Sequence, residues 1–239
     1  HGFLNADAVK NVELIKGGMP AQYGGRLASV LDINLKEGNN KEVKVDGGIG
    51  LIASRLTIQG PIQKEKSSFI VSARRTYIDV VSKPFISKLS NAYGSGYYFY
   101  DLNGKLNYQF SEKDQLYVSG YFGRDVFSFI DRDSDISFKV PWGNATATAR
   151  WNHLFSEKLF ANTTFSLSDY NFQFESKFDQ FKATFYSGIR DYSAKVSFNY
   201  YPSIRHQIKF GTSFTLHIFT PNIAEAESGD TKFNLGGKY

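Results

Sequence analysis

The chain has 239 residues, with 28 Lys and Arg against 23 Asp and Glu, a formal net charge of +5, 41% hydrophobic residues and no cysteine. The hydrophobic fraction excludes wholesale disorder, and the absence of thiols excludes a disulfide framework, a thiolate zinc site and cysteine catalysis. Basic residues are interleaved with acidic ones, so no nucleic-acid stripe stands out. Aromatics reach 16%, with 22 Phe and 15 Tyr against one Met, a composition suited to pleated surfaces rather than an adaptable helical core.

The chain opens on His1 without a signal sequence and ends in the strand-like KFNLGGKY, which leads us to expect a fragment of a longer exported protein. No run of about 18 apolar residues is present, so no transmembrane helix is expected. Residues 1–40 hold a short strand-like run, Asn11 to Lys16, a glycine-rich stretch and a second run, Leu31 to Leu35. Gly24-Gly25 is followed by Arg26-Leu27 rather than by the Lys-Ser/Thr pair of a phosphate loop, which removes that alternative.

From residue 41 the chain is rhythmic. Short polar clusters fall at Gln63–Lys66, Ser111–Asp114, Ser156–Lys158 and Pro202–Arg205. The steps from Lys66 to Lys113, Lys158 and Arg205 are 47, 45 and 47 residues. Such a period marks a repeated hairpin, with tight turns at one end and, as expected here, long loops at the other, near residues 78–97, 126–137, 175–181 and 219–231.

The runs between turns alternate with the strand period. Leu116, Val118, Gly120 and Phe122 oppose Gln115, Tyr117, Ser119 and Tyr121. Leu159, Ala161, Thr163, Phe165 and Leu167 oppose Asn162, Thr164, Ser166 and Ser168. Tyr192 to Tyr200 and Ile208 to Ile218 behave likewise. A soluble antiparallel sheet with one face on a core is the plain alternative. Three features favour a membrane barrel instead. The runs exceed the usual five or six residues of a globular strand, their polar faces are Ser, Thr, Asn, Gln and Lys throughout, and Tyr and Phe gather near the run ends as in interfacial girdles. The fold class expected is therefore all-β, a partial transmembrane antiparallel β-barrel whose apolar face looks outward and whose polar face lines a lumen.

The string NVELIKGGMPAQYGGRLASVLDINLKEGN resembles the final part of the plug domain of TonB-dependent outer-membrane receptors. It supplies Val12 to Gly17, the turn Tyr23-Gly24-Gly25 and the strand Val30 to Leu35. VDGGIGLIASRLTIQGPI resembles the first barrel hairpin of that family, ending at Gly60-Pro61. SFIVSARRTY and YYFYDLNGKLNY resemble the early barrel of such receptors from Bacteroidetes-like bacteria. The Arg26-to-Val30 stretch departs from the glycan-importing branch, whose turn more often continues YGSRAANGV.

The resemblance implies that residues 1–40 are the C-terminal part of the plug and residues 41–239 the N-terminal part of the transmembrane β-barrel. A full barrel of this kind has 22 strands around the plug. At about 23 residues per strand and its connection, the chain holds about nine of them. The function implied is binding of a scarce nutrient (ferric siderophore, cobalamin, haem or oligosaccharide) and its import into the periplasm with energy from TonB. The partners are then TonB, outer-membrane lipid and the small-molecule ligand, with no nucleic acid and no cofactor, and the location is the bacterial outer membrane.

Candidate plug–barrel contacts are Glu13, Arg26, Arg55, Arg74 and Arg75. Alternation sends Arg55 inward with Thr57 and Gln59, and it forbids Arg74 and Arg75 from both doing so. Tyr93, Tyr97, Tyr98 and Tyr100 are candidates for stacking on a ligand or for anchoring at an interface. Asp131, Asp133 and Asp135 alternate as Ca²⁺ ligands can, but Ile136 and Trp142 stand where a calcium loop has Gly and Glu.

No catalytic constellation is expected. His1, His153, His206 and His217 fall in no metal spacing, no G-x-S-x-G elbow is present, and His217 with Glu225 and Glu227 is the one arrangement loosely reminiscent of a hydrolase. A porin or adhesin without a plug is the remaining alternative.

Overall fold

The computed structural model describes residues 9–15, 30–35, 37–89 and 95–235. In chain order they form β1 (Val9–Ile15), β2 (Val30–Leu35), β3 (Lys44–Ile49), β4 (Ala53–Gln63), β5 (Ser67–Thr76), α1 (Ile78–Leu89), β6 (Gly96–Gln109), β7 (Asp114–Asp131), β8 (Ile136–Ser156), β9 (Leu159–Phe178), β10 (Phe181–Ser203), β11 (His206–Ser228) and β12 (Thr231–Leu235). β1 and β2 pair antiparallel as their own two-stranded sheet, with Val12 opposite Ile33. β3 to β12 form a ten-stranded sheet in which each strand lies beside its neighbours in sequence, an uninterrupted antiparallel meander. It holds ten strands against the nine expected, because most connections at both ends are short.

The four polar clusters are the tight turns joining β4 to β5, β6 to β7, β8 to β9 and β10 to β11. In the first of them Glu65 takes a left-handed φ of 62°, and its N–H donates to the Asn40 carbonyl at 3.0 Å. The opposite end corrects the expected loops. β7 runs to Asp131 and β8 starts at Ile136, β9 and β10 are separated by Asp179 and Gln180 alone, and β11 and β12 by Gly229 and Asp230. Asp135, Asp179 and Gly229 supply the left-handed conformations such reversals need, which Gly and Asp tolerate best. Residues 78–89 are helical, although Pro84 lies inside the helix.

Ladder register assigns every side chain of the sheet to one of two faces. The inner face carries Thr57, Ser72, Asn103, Lys105, Asn107, Ser119, Thr148, Asn162, Thr164, Ser166, Lys195 and Ser213. The outer face carries Leu56, Ile58, Val71, Leu102, Leu106, Val118, Phe122, Ala149, Phe165, Ala194 and Phe214. Thr57, Ser72, Asn103 and Asn107 are buried, while Leu56, Leu102, Phe165 and Phe214 are exposed. The sheet thus shelters its polar side and offers its apolar side to the surroundings, the inverse of a soluble sheet.

Aromatic residues border this apolar band. Tyr108, Phe110, Trp151, Phe155, Phe198 and Phe210 lie at the turn end, with Phe198 and Phe210 stacked at 5.1 Å. Tyr98, Tyr100 and Tyr192 lie at the other end. On β10 the band runs from Tyr192 to Tyr200, nine residues, which suits a tilted strand crossing a hydrocarbon layer.

Beyond the band the polarity reverses. On β7 to β10 the outer positions become Ser128, Lys139, Asn171, Gln173, Glu175, Lys182 and Thr184, and the inner ones Phe127, Phe129, Phe138, Trp142, Phe172, Phe174 and Phe185.

At the turn end, Asp114 gathers the β7–β8 hairpin. Its carboxylate accepts from Ser111 Oγ at 3.0 Å and Trp151 Nε1 at 3.1 Å, and it lies 2.6 Å from His153 Nδ1. Chiefly through the His153 bond, the Asp114 carboxyl is held below the usual carboxylate range. A carboxylate with a depressed value stabilises the fold above its unfolded pKa and loses that contribution as pH falls through the folded one. Denaturant midpoints followed from neutral pH into the acid range should therefore fall more steeply for the native chain than for Asp114→Asn. Parallel curves would contradict the assignment.

Candidate functional site on the inner wall

Two groups of residues meet on the inner face where the polarity reverses. The first is charged. Arg55 on β4 faces Arg74 on β5 across the ladder, and Arg74 faces Asp101 on β6. Like charges opposite each other on one face repel, and Asp101 offsets this: Arg74 Nη2 donates to Asp101 Oδ2 at 2.7 Å and Nε donates at 3.2 Å. The Asp101 side chain is 1% exposed and that of Arg74 19%. Asp101 Oδ1 is buried without a hydrogen-bond partner among the described residues. The Arg74 guanidinium also lies 4.9 Å from the Phe99 ring centroid.

One strand on, Tyr97 Oη donates to Asp125 Oδ2 at 2.5 Å. Burial first, then this bond, pushes the Tyr97 hydroxyl above the ordinary phenol range. Gly123 lies beside this cluster beneath the Tyr121 ring, whose hydroxyl end would have to shift to admit a Cβ there.

The second group is an aromatic wall. Phe129 and Phe138 stack at 6.3 Å, Phe138 and Phe174 meet at 5.9 Å, and Phe174 and Phe185 at 6.3 Å, so four strands contribute to one continuous ladder of rings. On the same face Tyr97, which hydrogen-bonds Asp125, stacks on Trp142 at 6.2 Å. Phe127, Phe129, Phe138, Phe172 and Phe185 keep between 36% and 45% of their surface exposed. Exposed rings in such number on a sheltered face form a surface able to take flat or apolar groups by stacking and burial. Nearer the turn end the same face is basic: Lys105 and Arg150 lie 5.2 and 4.5 Å from the Tyr117 ring centroid.

The residues singled out from the sequence are not all brought together. Arg55 and Arg74 share the inner face. Arg75 does not. Register places it on the outer face with Tyr98 and Tyr100, its guanidinium 5.7 Å from the Tyr98 ring centroid, so it is parted from the other two by the sheet itself. Tyr98 and Tyr100 stack on each other at 6.5 Å on that outer face, leaving Tyr97 as the inward tyrosine of the group. Glu13 lies on β1 opposite Asp32. Arg26 and Tyr93 lie outside the described residues.

The Asp131, Asp133 and Asp135 set serves its turn. Asp131 accepts from the Asp133 N–H and from Ser134 Oγ, both at 3.0 Å, and no metal-holding group of His, Asp or Glu occurs among the described residues. The arrangement of His217 with Glu225 and Glu227 is also dissolved. His217 Nδ1 lies 2.6 Å from Asp191 Oδ1 across the β10–β11 ladder, whereas the two glutamates lie eight and ten residues further along β11, about 25 Å or more away. The aromatic wall, absent from the residues singled out above, does have a signal in the sequence: NFQFESKF and FKATFY alternate with the strand period, with polarity opposite to that of the band.

No family model matches the chain, and no curated protein matches it in sequence. Among solved structures it is similar to the ferric yersiniabactin uptake receptor FyuA from Yersinia pestis, with a TM-score of 0.55 and 13% identity over 97% of this chain. The chain spans about half of that receptor, 48% of its length. The likeness shows the fold, an antiparallel sheet of the kind that forms part of a barrel.

Removing Arg74 alone would strand a buried carboxylate. Arg74→Ala is expected to destabilise the protein by about 3–5 kcal/mol, with most of that recovered in Arg74→Ala/Asp101→Ala. Denaturant unfolding in detergent micelles measures both, and equal loss in the single and double variants would contradict the pairing.

Proposed function

We propose that the chain is part of a TonB-dependent outer-membrane receptor. Residues 1–40 would be the end of its plug and residues 41–239 the first part of its transmembrane barrel, in the outer membrane of a bacterium. The observation that carries this reading is the reversal of polarity along each long strand. A band with apolar residues outside and polar ones inside suits lipid around a wet lumen. Beyond it, strands that are polar outside and aromatic inside suit a collar standing in water around a binding vestibule. The resemblance of residues 11–39 to a plug terminus and the fold shared with an iron-chelate uptake receptor support the same reading.

On this reading the protein transports rather than catalyses. A scarce nutrient such as a ferric siderophore, haem, cobalamin or an oligosaccharide is held by the vestibule rings and the upper inner wall. TonB, acting through an upstream part of the plug, then supplies the work that moves the plug aside. The inner-wall charges Arg55 and Arg74, with Glu13 and Arg26 on the plug side, are the contacts that must rearrange. Such a lock works by exchanging one ion pair for another, so that no buried charge is left without a partner as the plug moves.

The test is energised uptake by cells producing the complete receptor, with labelled ferric siderophores, haem and cobalamin as probes. Accumulation should stop when an uncoupler collapses the proton gradient, and should fall in Arg26→Glu, while binding at the cell surface persists in both cases. Accumulation that continues in de-energised cells would instead mark an open porin.

A further inference from the structure

Two arginines stand on the outer face without a carboxylate. Arg75 on β5 and Arg124 on β7 lie in one row of the ladder, either side of Tyr100 on β6, so their Cα atoms are about 10 Å apart at ordinary strand spacing. Both side chains are exposed, and neither meets a carboxylate at ion-pair distance among the described residues. Elsewhere Asp169 answers Arg190 on this same outer face at 2.5 Å. The position of the pair is also particular. Tyr98 and Tyr100 stack beside Arg75, and Tyr100 meets Phe122 at 6.0 Å, so both guanidinium groups sit at the aromatic border of the apolar band.

Around Arg75 lies a groove of about 1110 Å³, lined by Gly47, Leu56, Ala73, Tyr98 and Leu102 of the outer face and also by Arg55, Arg74 and Asp101, which register places on the other face. A cationic rim above an apolar channel is complementary to an amphiphile with a negative head and a hydrocarbon tail. The planar guanidinium fork binds phosphate oxygens in pairs and sheds water more readily than an ammonium does.

We propose that Arg75 and Arg124 clamp the headgroup of a lipid bearing net negative phosphate, with an acyl chain lying in the groove below. The site rests on the membrane placement given under the proposed function. Its two arginines and its apolar lining stand on the outer face, away from the aromatic vestibule.

The experiment uses the protein reconstituted in phosphatidylcholine vesicles containing a minor fraction of phosphatidylglycerol, with bromine on the chains of one lipid or the other. Leu102→Trp reports on the groove and Leu216→Trp, on the outer face of β11, serves as control, both with Trp142 and Trp151 replaced by Phe. At Leu102→Trp, brominated phosphatidylglycerol should quench beyond its mole fraction, by about fivefold per arginine. Arg75→Gln/Arg124→Gln should remove the excess while leaving quenching by phosphatidylcholine unchanged, which shows that the sheet is intact. Native mass spectrometry of the chain without reporters should likewise show retained phosphatidylglycerol, lost in the double variant. No preference at Leu102→Trp, an equal preference at Leu216→Trp, or a preference that survives the double variant overturns the site. Absence of quenching by either lipid at both reporters would overturn the membrane placement as well, and so tells the two failures apart.

Discussion

A sheet of one layer has no second layer in which to hide either face, so at each height along its strands it must suit two surroundings at once. Hydrogen-bond ladders pair β5 to β10 on both edges, which leaves their side chains to answer to those surroundings alone. Period-two alternation makes that possible: at one register Phe165 faces outward and Ser166 inward, and a slip of one residue would exchange them. The apolar band, its aromatic borders and the reversal beyond them all follow from that one requirement. None of them needs a packed hydrophobic core, and few hydrophobic side chains of the sheet are fully buried (Ile70, Val126 and Ala161 among the described residues).

What was legible in the sequence is what local chemistry encodes. The four polar clusters became hairpin turns, and the alternation of the β7 to β11 runs became two faces of opposite character. Arg55 went inward, as its neighbours Thr57 and Gln59 required. The extent of the strands was not legible, because past the band the pattern of apolar residues outside and polar ones within inverts. The inversion also hides the end of β9 in the loop expected at residues 175–181, and with it the ring ladder from Phe129 to Phe185. Helix α1 lies inside the loop expected at residues 78–97, and its interior Pro84 is no local signal for a helix. The Arg74–Asp101 and His217–Asp191 pairs depend on register between strands, 27 and 26 residues apart, and no local signal announces them.

The division of labour across the sheet gives the proposed receptor its logic. Rings gather where water is outside and a ligand must be held within. Below them lie charges that a moving plug can exchange, and on the far side the arginines Arg75 and Arg124 meet the headgroup zone. Arg74 and Arg75 are neighbours in sequence yet belong to different tasks, one held by Asp101 in the lumen wall and the other resting on Tyr98 at the border of the band. That separation is a direct product of the pleat.

The central claim is that the outer face of the band contacts hydrocarbon, and the absence of native cysteine makes it directly measurable by site-directed spin labelling. Nitroxides placed one at a time from Thr163 to Gln173 in the reconstituted protein can be tested for collision with oxygen, which concentrates in lipid, and with a water-soluble nickel chelate. Oxygen should dominate at Phe165 and Leu167 and the chelate at Thr164 and Ser166, with the alternation inverting its sense by Asn171 and Gln173. Positions 165 and 167 closed to both reagents would mean a covering layer of protein on that face, and the account would then be wrong.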